Sequence, residues 1–332
     1  MTTMKAAFAK PESSINDIEI REIEIPAPQA GEALVRLKAA TLNYRDLLAL
    51  RGKVNSTKTP EYVPLSDAVG EVVATGEGVT RVASGDRVSP LFAQGWLTGP
   101  TPSPFMLGGP VDGVARQYAT FDAESLCLIP DEIGDLEAAT LPCAGLTAWT
   151  ALFGHRPLQP GEWILTQGTG GVSLAALQWA KAVGAKVIMT SSSDAKLRRA
   201  RALGADVTIN YRKTADWPAA ARAATNGRGV DIFVDLVGAS QVADGATALA
   251  ENGLVAAIGR LEGTSSYGMD IGKRLAPIVV GNRDGHEAML KFCADKGIRP
   301  VIDTVYDLER LADAMRLMDT GDFFGKIGIN LL

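Results

Sequence analysis

Histidine is almost missing from this chain: only His155 and His286 occur in 332 residues. That count excludes a histidine-rich metal centre, since imidazole is a principal ligand of such sites. Cysteine is nearly as scarce. Cys127, Cys143 and Cys293 are odd in number and far apart, which argues against a disulfide framework and for a reducing compartment. Long apolar runs are absent too. Nothing approaches the roughly 20 residues of a membrane span, and the opening MTTMKAAFAKPESS has no apolar stretch of signal-peptide length. The 33 basic and 38 acidic side chains give a net charge of −5 without a long basic run. Nucleic acid and anionic membranes are therefore poor partners. A soluble cytoplasmic protein acting on a small molecule is the expectation.

What is present is a large apolar fraction, 46 % of the residues, enough for about two packed domains at this length. GEALVRLKAATLN (31–43) predicts a strand running into a loop. VGEVVATGEGVTRVASGDRVSP (69–90) predicts strands separated by glycine turns. Residues 93–113 are dense in Gly and Pro and predict an irregular loop. From about residue 128 strands and helices alternate. Trp163–Gln167 is short and apolar. Val172, Ala176, Trp179 and Val183 then recur at helical spacing, with Gly184 closing the helix. AKVIMTSSS (185–193) predicts the next strand, with Asp194 as N-cap of the following helix. DVTIN, VDIFVDLVG, GLVAAIG and APIVVGN continue the series. The tail predicts a helix with Leu308, Leu311, Met315 and Met318 on one face, then a closing strand, FGKIGINLL. Repeated βα units specify an α/β protein with a doubly wound parallel sheet.

The segment ILTQGTGGVSLAALQWAKA (164–182) passes from strand through glycines into helix. Gly168 suits the tight turn. Gly170 and Gly171 let backbone N–H groups approach a pyrophosphate, and the helix N-terminus adds partial positive charge. Thr169 and Val172 complete the cradle. Ser173 stands where a third spaced glycine is usual, a position that serves helix–strand packing. The next strand ends in Ser191-Ser192-Ser193, where NAD sites usually carry a ribose-binding acid. Its absence favours NADPH over NADH, with Ser191, Ser192, Lys196, Tyr211 and Arg212 around the 2′-phosphate. The alternative is that the serines only cap the next helix.

LNYRDLLALRG (42–52), PLSDAVGEVVATGEGVTRVASGDRV (64–88), AATLPCAGLTAWTAL (138–152), QGTGGVSLAALQWAKAVGAKVI (167–188) and FGKIGI (324–329) together give a resemblance that covers nearly the whole chain. The chain resembles the medium-chain dehydrogenase/reductase superfamily, in its zinc-free, quinone-oxidoreductase-like branch. The resemblance implies a GroES-like, β-rich catalytic domain from both chain ends (1–127 and 284–332) and a Rossmann coenzyme domain between them (128–283). Zinc-dependent relatives hold catalytic zinc with a Cys, a His-Glu pair and a later Cys. Here Asn43, Ser66-Asp67 and Cys143 take those places, and residues 89–115 lack the four cysteines of the structural-zinc lobe. No metal is expected, and Cys143 reads as a buried small hydrophobe.

Without a Lewis acid, hydride transfer to a quinone or an α,β-unsaturated carbonyl is the leading expectation. The resemblance implies catalytic roles for Asn43 and Tyr44, though Tyr44 is also compatible with ordinary packing. It places Thr147, Val237, Gly238, Ile258, Gly259, Arg260, Phe324 and Lys326 at the cofactor. Ser66, Trp96, Phe105 and Met106 are candidate walls of the substrate pocket. The apolar APIVVGN, as an edge strand, implies a homodimer across a two-fold axis. Two other readings stay open: a zinc-free alcohol or aldehyde oxidoreductase, and a non-catalytic NADPH-binding protein.

Overall fold

Strand signals dominate the first third of the chain and βα alternation follows, and the elements obey that division. The structure, a computed structural model, describes residues 2–54, 60–259 and 274–332. In chain order the strands begin β1 (Thr3–Phe8), β2 (Glu19–Glu24), β3 (Glu32–Thr41), β4 (Asp67–Thr75), β5 (Arg87–Pro90), β6 (Tyr118–Asp122) and β7 (Leu126–Leu128). They continue as β8 (Trp163–Gln167), β9 (Lys186–Ser191), β10 (Val207–Asn210), β11 (Val230–Asp235), β12 (Leu249–Ala257), β13 (Leu275–Pro277), β14 (Ile302–Asp307) and β15 (Lys326–Asn330). The helices are α1 (Tyr44–Leu50), α2 (Asp135–Ala138), α3 (Leu146–Trp149), α4 (Gly171–Ala182) and α5 (Asp194–Ala202). After them come α6 (Trp217–Ala224), α7 (Ala239–Ala246), α8 (Arg283–Lys296) and α9 (Leu311–Thr320). Among the described residues no helix is long and apolar enough to cross a membrane.

Two compact units result, Met1–Leu146 with Gly281–Leu332, and Thr147–Val280. In the first, strands run in the order β14-β15-β3-β4-β5-β7, with β6 also on β3 and a separate β1–β2 ribbon. The last strand lies antiparallel to β3 with Gly328 opposite Thr41, and Thr41 in turn faces Asp67 of β4. Both chain ends therefore build one sheet. Its core gathers Val35, Leu37, Leu47, Leu50 and Val72 with Leu311, Met315 and Met318 of α9. Leu308 is buried as expected, but in a 3₁₀ turn ahead of the helix.

Residues 128–146, expected with the coenzyme domain, pack instead in this first unit. Ala138, Ala139 and Leu141 are buried, Arg87 reaches Asp135 at 2.7 Å, and Thr41 Oγ1 donates to Ala139 O at 2.8 Å. Apolar burial and these cross-links to β3 and β5 outweigh the change in sequence texture at 128.

The second unit is a six-stranded parallel sheet in the order β10-β9-β8-β11-β12-β13. Numbered from β8, this is 3-2-1-4-5-6, the Rossmann order, which leaves a crevice where the direction of winding reverses, between β8 and β11. Central strands of such a sheet are covered on both faces, and every residue of β11 is buried. Leu165, Ile188, Phe233 and Val255 form the core with Trp217 of α6. The edge strand β13 is shorter than APIVVGN suggested: Pro277 has no N–H to give, and Val280 turns the chain at φ 38°.

Candidate active site

The glycine loop sits at the reversal point of the parallel sheet. Gly168 leaves β8 at φ 74°, and its N–H donates to Thr190 O at 2.8 Å. A Cβ built on Gly168 or Gly170 would meet no protein atom within 4 Å. The turn is therefore not glycine-rich for the sake of internal packing; it keeps a space clear above the N-terminus of α4. Gly170 is the N-cap and gives that terminus no side-chain partner, so the first N–H groups of a twelve-residue helix are left to a ligand. Thr169 is buried beside them, with Gly171 and Val172 half-buried. Ser173 answers the irregularity in the motif. It is buried, and its Oγ donates to Gln167 O at 2.7 Å, which ties helix to strand where glycine usually packs. A cradle that a Cβ would fill, at a helix N-terminus, fits a dinucleotide.

At the end of β9, Ser191 is buried and Ser192 half-buried. Ser191 Oγ accepts from Ser193 N at 3.2 Å, and Tyr211 N donates to Ser191 O, also at 3.2 Å. The structure thus brings Tyr211 beside the serines, and Lys196 follows on α5. Ser193, not Asp194, caps α5 through Lys196 N. Asp194 is occupied elsewhere. It accepts from Asn210 Nδ2 and from Lys213 Nζ, both at 2.5 Å, and these two donors hold its carboxyl below the ordinary range. Val237, Gly238, Ile258 and Gly259 converge through Asp235. Its Oδ1 accepts from Val237 N and Gly238 N, and its carbonyl accepts from Ile258 N and Gly259 N. A Cβ on Gly259 would lie 2.3 Å from Gly238 N, so these two turns touch backbone to backbone. Thr147 is buried. Arg260 lies outside the described residues.

In the mixed-sheet unit, β15, β3 and β4 run side by side and deliver Lys326, Asn43 and Ser66-Asp67 to one edge. Asn43 opens α1 in extended conformation, and Asp46 closes a capping box by accepting from Asn43 N at 2.7 Å. Leu65, at φ 68°, turns the chain just before Ser66. Only glycines fit against that turn: a Cβ on Gly113 would lie 1.9 Å from Leu65 O.

The side chains then close a ring. Lys326 Nζ donates to Leu42 O and to Asn43 Oδ1, each at 2.6 Å. Asn43 Nδ2 donates to Ser66 Oγ at 3.3 Å, and Ser66 Oγ donates to Asp67 Oδ1 at 2.8 Å. Asp67 Oδ2 lies 3.6 Å from Lys326 Nζ and accepts from Cys143 N at 3.3 Å. All four side chains are buried. Burial raises the Asp46 carboxyl to about 6, opposed by Arg45 and the Asn43 N–H. Desolvation, with Asp67 adding to it, pushes the Cys143 thiol well above its usual range. Cys143, on the π turn Leu141–Gly145, is half-buried rather than buried, where the other four residues of that turn are buried.

The remaining candidates divide. Phe324 is buried. Tyr44 is 36 % exposed, and nearby Arg51 pairs with Asp319 at 2.6 Å. Trp96 is buried and its Nε1 donates to Gly99 O. Met106 bridges to Ala93, whereas Phe105 is 59 % exposed. Arg45 was missed by sequence reasoning. It donates to Leu107 O at 2.7 Å and lies over the Phe92 ring, anchoring the long loop to α1. His286, on α8, is a core residue: fully buried, neither ring nitrogen hydrogen-bonded, its pKa lowered to about 4 by burial.

Two family profiles match this chain. An alcohol dehydrogenase GroES-like domain covers residues 29–131, and a zinc-binding dehydrogenase domain covers 171–293. A zinc-type alcohol dehydrogenase-like protein of Schizosaccharomyces pombe is 37 % identical over 335 residues, covering 96 % of each chain. The chain belongs to the medium-chain dehydrogenase/reductase superfamily. A Sinorhizobium meliloti 1021 protein, solved as a candidate alcohol dehydrogenase, is 37 % identical and superposes with a TM-score of 0.90 over 99 % of each chain. An acryloyl-coenzyme A reductase of Metallosphaera sedula is 27 % identical, covering 93 % of this chain and 95 % of its own. Dehydrogenases of this superfamily use nicotinamide cofactors, and this member is an oxidoreductase of that class.

One profile is named for zinc, and the residues here do not fit that metal. A catalytic zinc site needs three ligating side chains and an open position. Asn43 and Ser66 are neutral and engaged with each other, Asp67 is paired with an ammonium, and Cys143 is left as the single thiol. Among the described residues no three His, Cys, Asp or Glu side chains are grouped to hold a metal.

Proposed function

We propose that the protein is a zinc-independent, NADPH-dependent reductase of an electron-poor acceptor, a quinone or an α,β-unsaturated carbonyl. The donor set carries this reading: the places that resemble zinc ligands hold an amide, a hydroxyl, a thiol and a carboxylate already paired with Lys326. Without a Lewis acid, an unactivated carbonyl or alcohol is hard to activate. A conjugated acceptor needs only positioning and a donor for the oxygen on which charge develops.

When bound, the nicotinamide would supply a hydride to the β-carbon and be left oxidised, the alkene pair becoming the new bond from α-carbon to carbonyl carbon and the carbonyl π pair moving onto the oxygen. The chain's own residues do the rest. Gly168, Thr169, Gly170, Gly171 and Val172 grip the pyrophosphate, and Ser191, Ser192, Lys196 and Tyr211 accommodate the 2′-phosphate. Asn43 Nδ2 offers its second N–H to the developing oxyanion, with Tyr44 as the other donor. A water proton at the α-carbon completes the balance. The name of the Metallosphaera relative, an acryloyl-coenzyme A reductase, supports an unsaturated acceptor. The names of the Schizosaccharomyces and Sinorhizobium relatives favour a second reading, alcohol or aldehyde oxidoreduction. In either case we expect a cytoplasmic homodimer, paired along β13 across a two-fold axis.

The test is NADPH and NADH consumption against quinones, enones, enoyl thioesters, aldehydes and ketones, with elemental analysis of the same preparation. Turnover of quinones or enones, tighter binding of NADPH and no stoichiometric zinc are expected. One zinc per chain with alcohol oxidation replaces the proposal by the second reading. Cofactor binding without oxidation by any acceptor points to a non-catalytic protein.

A further inference from the structure

We propose that Lys326 is a positioning residue: its buried ammonium fixes which way the Asn43 carboxamide faces, so that one Nδ2 hydrogen is kept for the acceptor's oxygen. The inference rests on the reductase reading and deepens it by assigning the group that orients the donor.

An ammonium has three donors and no acceptor. The amide atom 2.6 Å from Lys326 Nζ must therefore be Oδ1, and Nδ2 must face Ser66. Ser66 Oγ then has to accept from Nδ2, and its own proton has only one place to go, Asp67 Oδ1 at 2.8 Å. Asp67 Oδ2 returns to the ammonium at 3.6 Å. One cation thus dictates every hydrogen in the ring. The second hydrogen on Nδ2 has no hydrogen bond to protein among the described residues.

Without the ammonium the amide can turn over. Its NH₂ can then donate toward Leu42 O, with its carbonyl swung to the side that Nδ2 now occupies. The atom left facing outward would be a carbonyl oxygen, which repels an oxyanion instead of stabilising it. Two N–H groups of Lys326 are held by Leu42 O and Asn43 Oδ1, and the ammonium also faces the Asp67 carboxylate at 3.6 Å. That commitment separates the proposal from a role at the cofactor phosphates, which requires a free ammonium.

The experiment compares Asn43→Ala, Lys326→Met and the double variant in steady-state kinetics with the best acceptor, and measures NADPH Kd by fluorescence titration. Loss of an oxyanion donor typically lowers turnover by about 10²-fold, so each single variant should lose about 10- to 100-fold in kcat. The double variant should fall no more than about twofold below the worse single, because both remove one interaction. NADPH Kd should stay within about twofold. If Lys326→Met does not fold, Lys326→Met/Asp67→Asn takes its place, since it leaves no unpaired charge.

Parental kcat in the lysine variant, or losses that multiply, overturns the proposal. So does a large rise in NADPH Kd with kcat retained, which would return Lys326 to the cofactor. Nitrogen-15 NMR of labelled lysine tests the ring without turnover. A slowly exchanging Nζ signal absent from Lys326→Met is expected, and exchange as fast as a surface lysine overturns the ring. If no acceptor is reduced, the reductase reading falls while this signal still decides the ring.

Discussion

The two units prepare their chemistry in opposite ways. At the reversal point of the parallel sheet, the glycine turn is built on open space: a Cβ on Gly168 or Gly170 would touch nothing, and helix N–H groups are left without side-chain partners. At the edge of the mixed sheet, the space is filled. Lys326, Asn43, Ser66 and Asp67 satisfy one another, and all are buried. The difference teaches where stability and affinity should part company. An open cradle contributes little to folding and much to binding a large anion. A buried ionic ring costs desolvation and holds only while both charges are present.

The largest effect should come from breaking the filled side. Asp67→Asn keeps the shape and leaves the Lys326 ammonium buried without its paired carboxylate. Removing one partner of a buried pair typically costs about 3–5 kcal/mol. Denaturant melts should show that loss, and Asp67→Asn/Lys326→Met should recover a good part of it, because the pair is then neutral. A single variant as stable as the parent would mean that the ring is solvated and that the comparison is wrong.

The open side should behave inversely. Gly170→Val adds a branched side chain where no protein atom lies within 4 Å and where backbone φ is −81°, a value that suits any residue. Stability should hardly change. Cofactor affinity should fall by about 100-fold, or roughly 2.7 kcal/mol, as the branched side chain occupies the space reserved for phosphate. Calorimetric titration beside a thermal melt reads both quantities on one sample.

The same contrast explains what was legible in the sequence. The glycine turn is local, so strand, turn and helix follow one another within nineteen residues (164–182) and can be read in order. The strand order of the second unit follows from repeated βα units. The ring is not local. Lys326 and Asn43 are 283 positions apart, and nothing in FGKIGI indicates that its lysine turns inward to an amide. Asn43, Ser66, Asp67 and Cys143 could each be placed by resemblance, but the resemblance put Lys326 at the cofactor and gave no sign that it joins three of them. Smaller differences have similar causes. Ser193 rather than Asp194 caps α5 because Asn210 and Lys213 engage the carboxylate. Those partners lie at and just past the end of the next strand, outside the reach of a capping rule.

Ser173 offers the finest test, because it belongs to the open side yet does the work of the filled one. Its Oγ donates to Gln167 O at 2.7 Å in a buried position, so it holds α4 against β8 without entering the cradle. Ser173→Gly would restore the commonest form of the glycine motif. If the motif were only a ligand site, that change would be neutral or helpful. The structure predicts otherwise. A buried neutral hydrogen bond is worth about 1 kcal/mol, and glycine in a helix costs roughly 0.5 kcal/mol more than serine. The variant should lose about 1.5 kcal/mol of stability while NADPH Kd stays within about twofold. Unchanged stability with weakened cofactor binding would place Ser173 in the cradle, and the division between open and filled sites would have to be redrawn at α4.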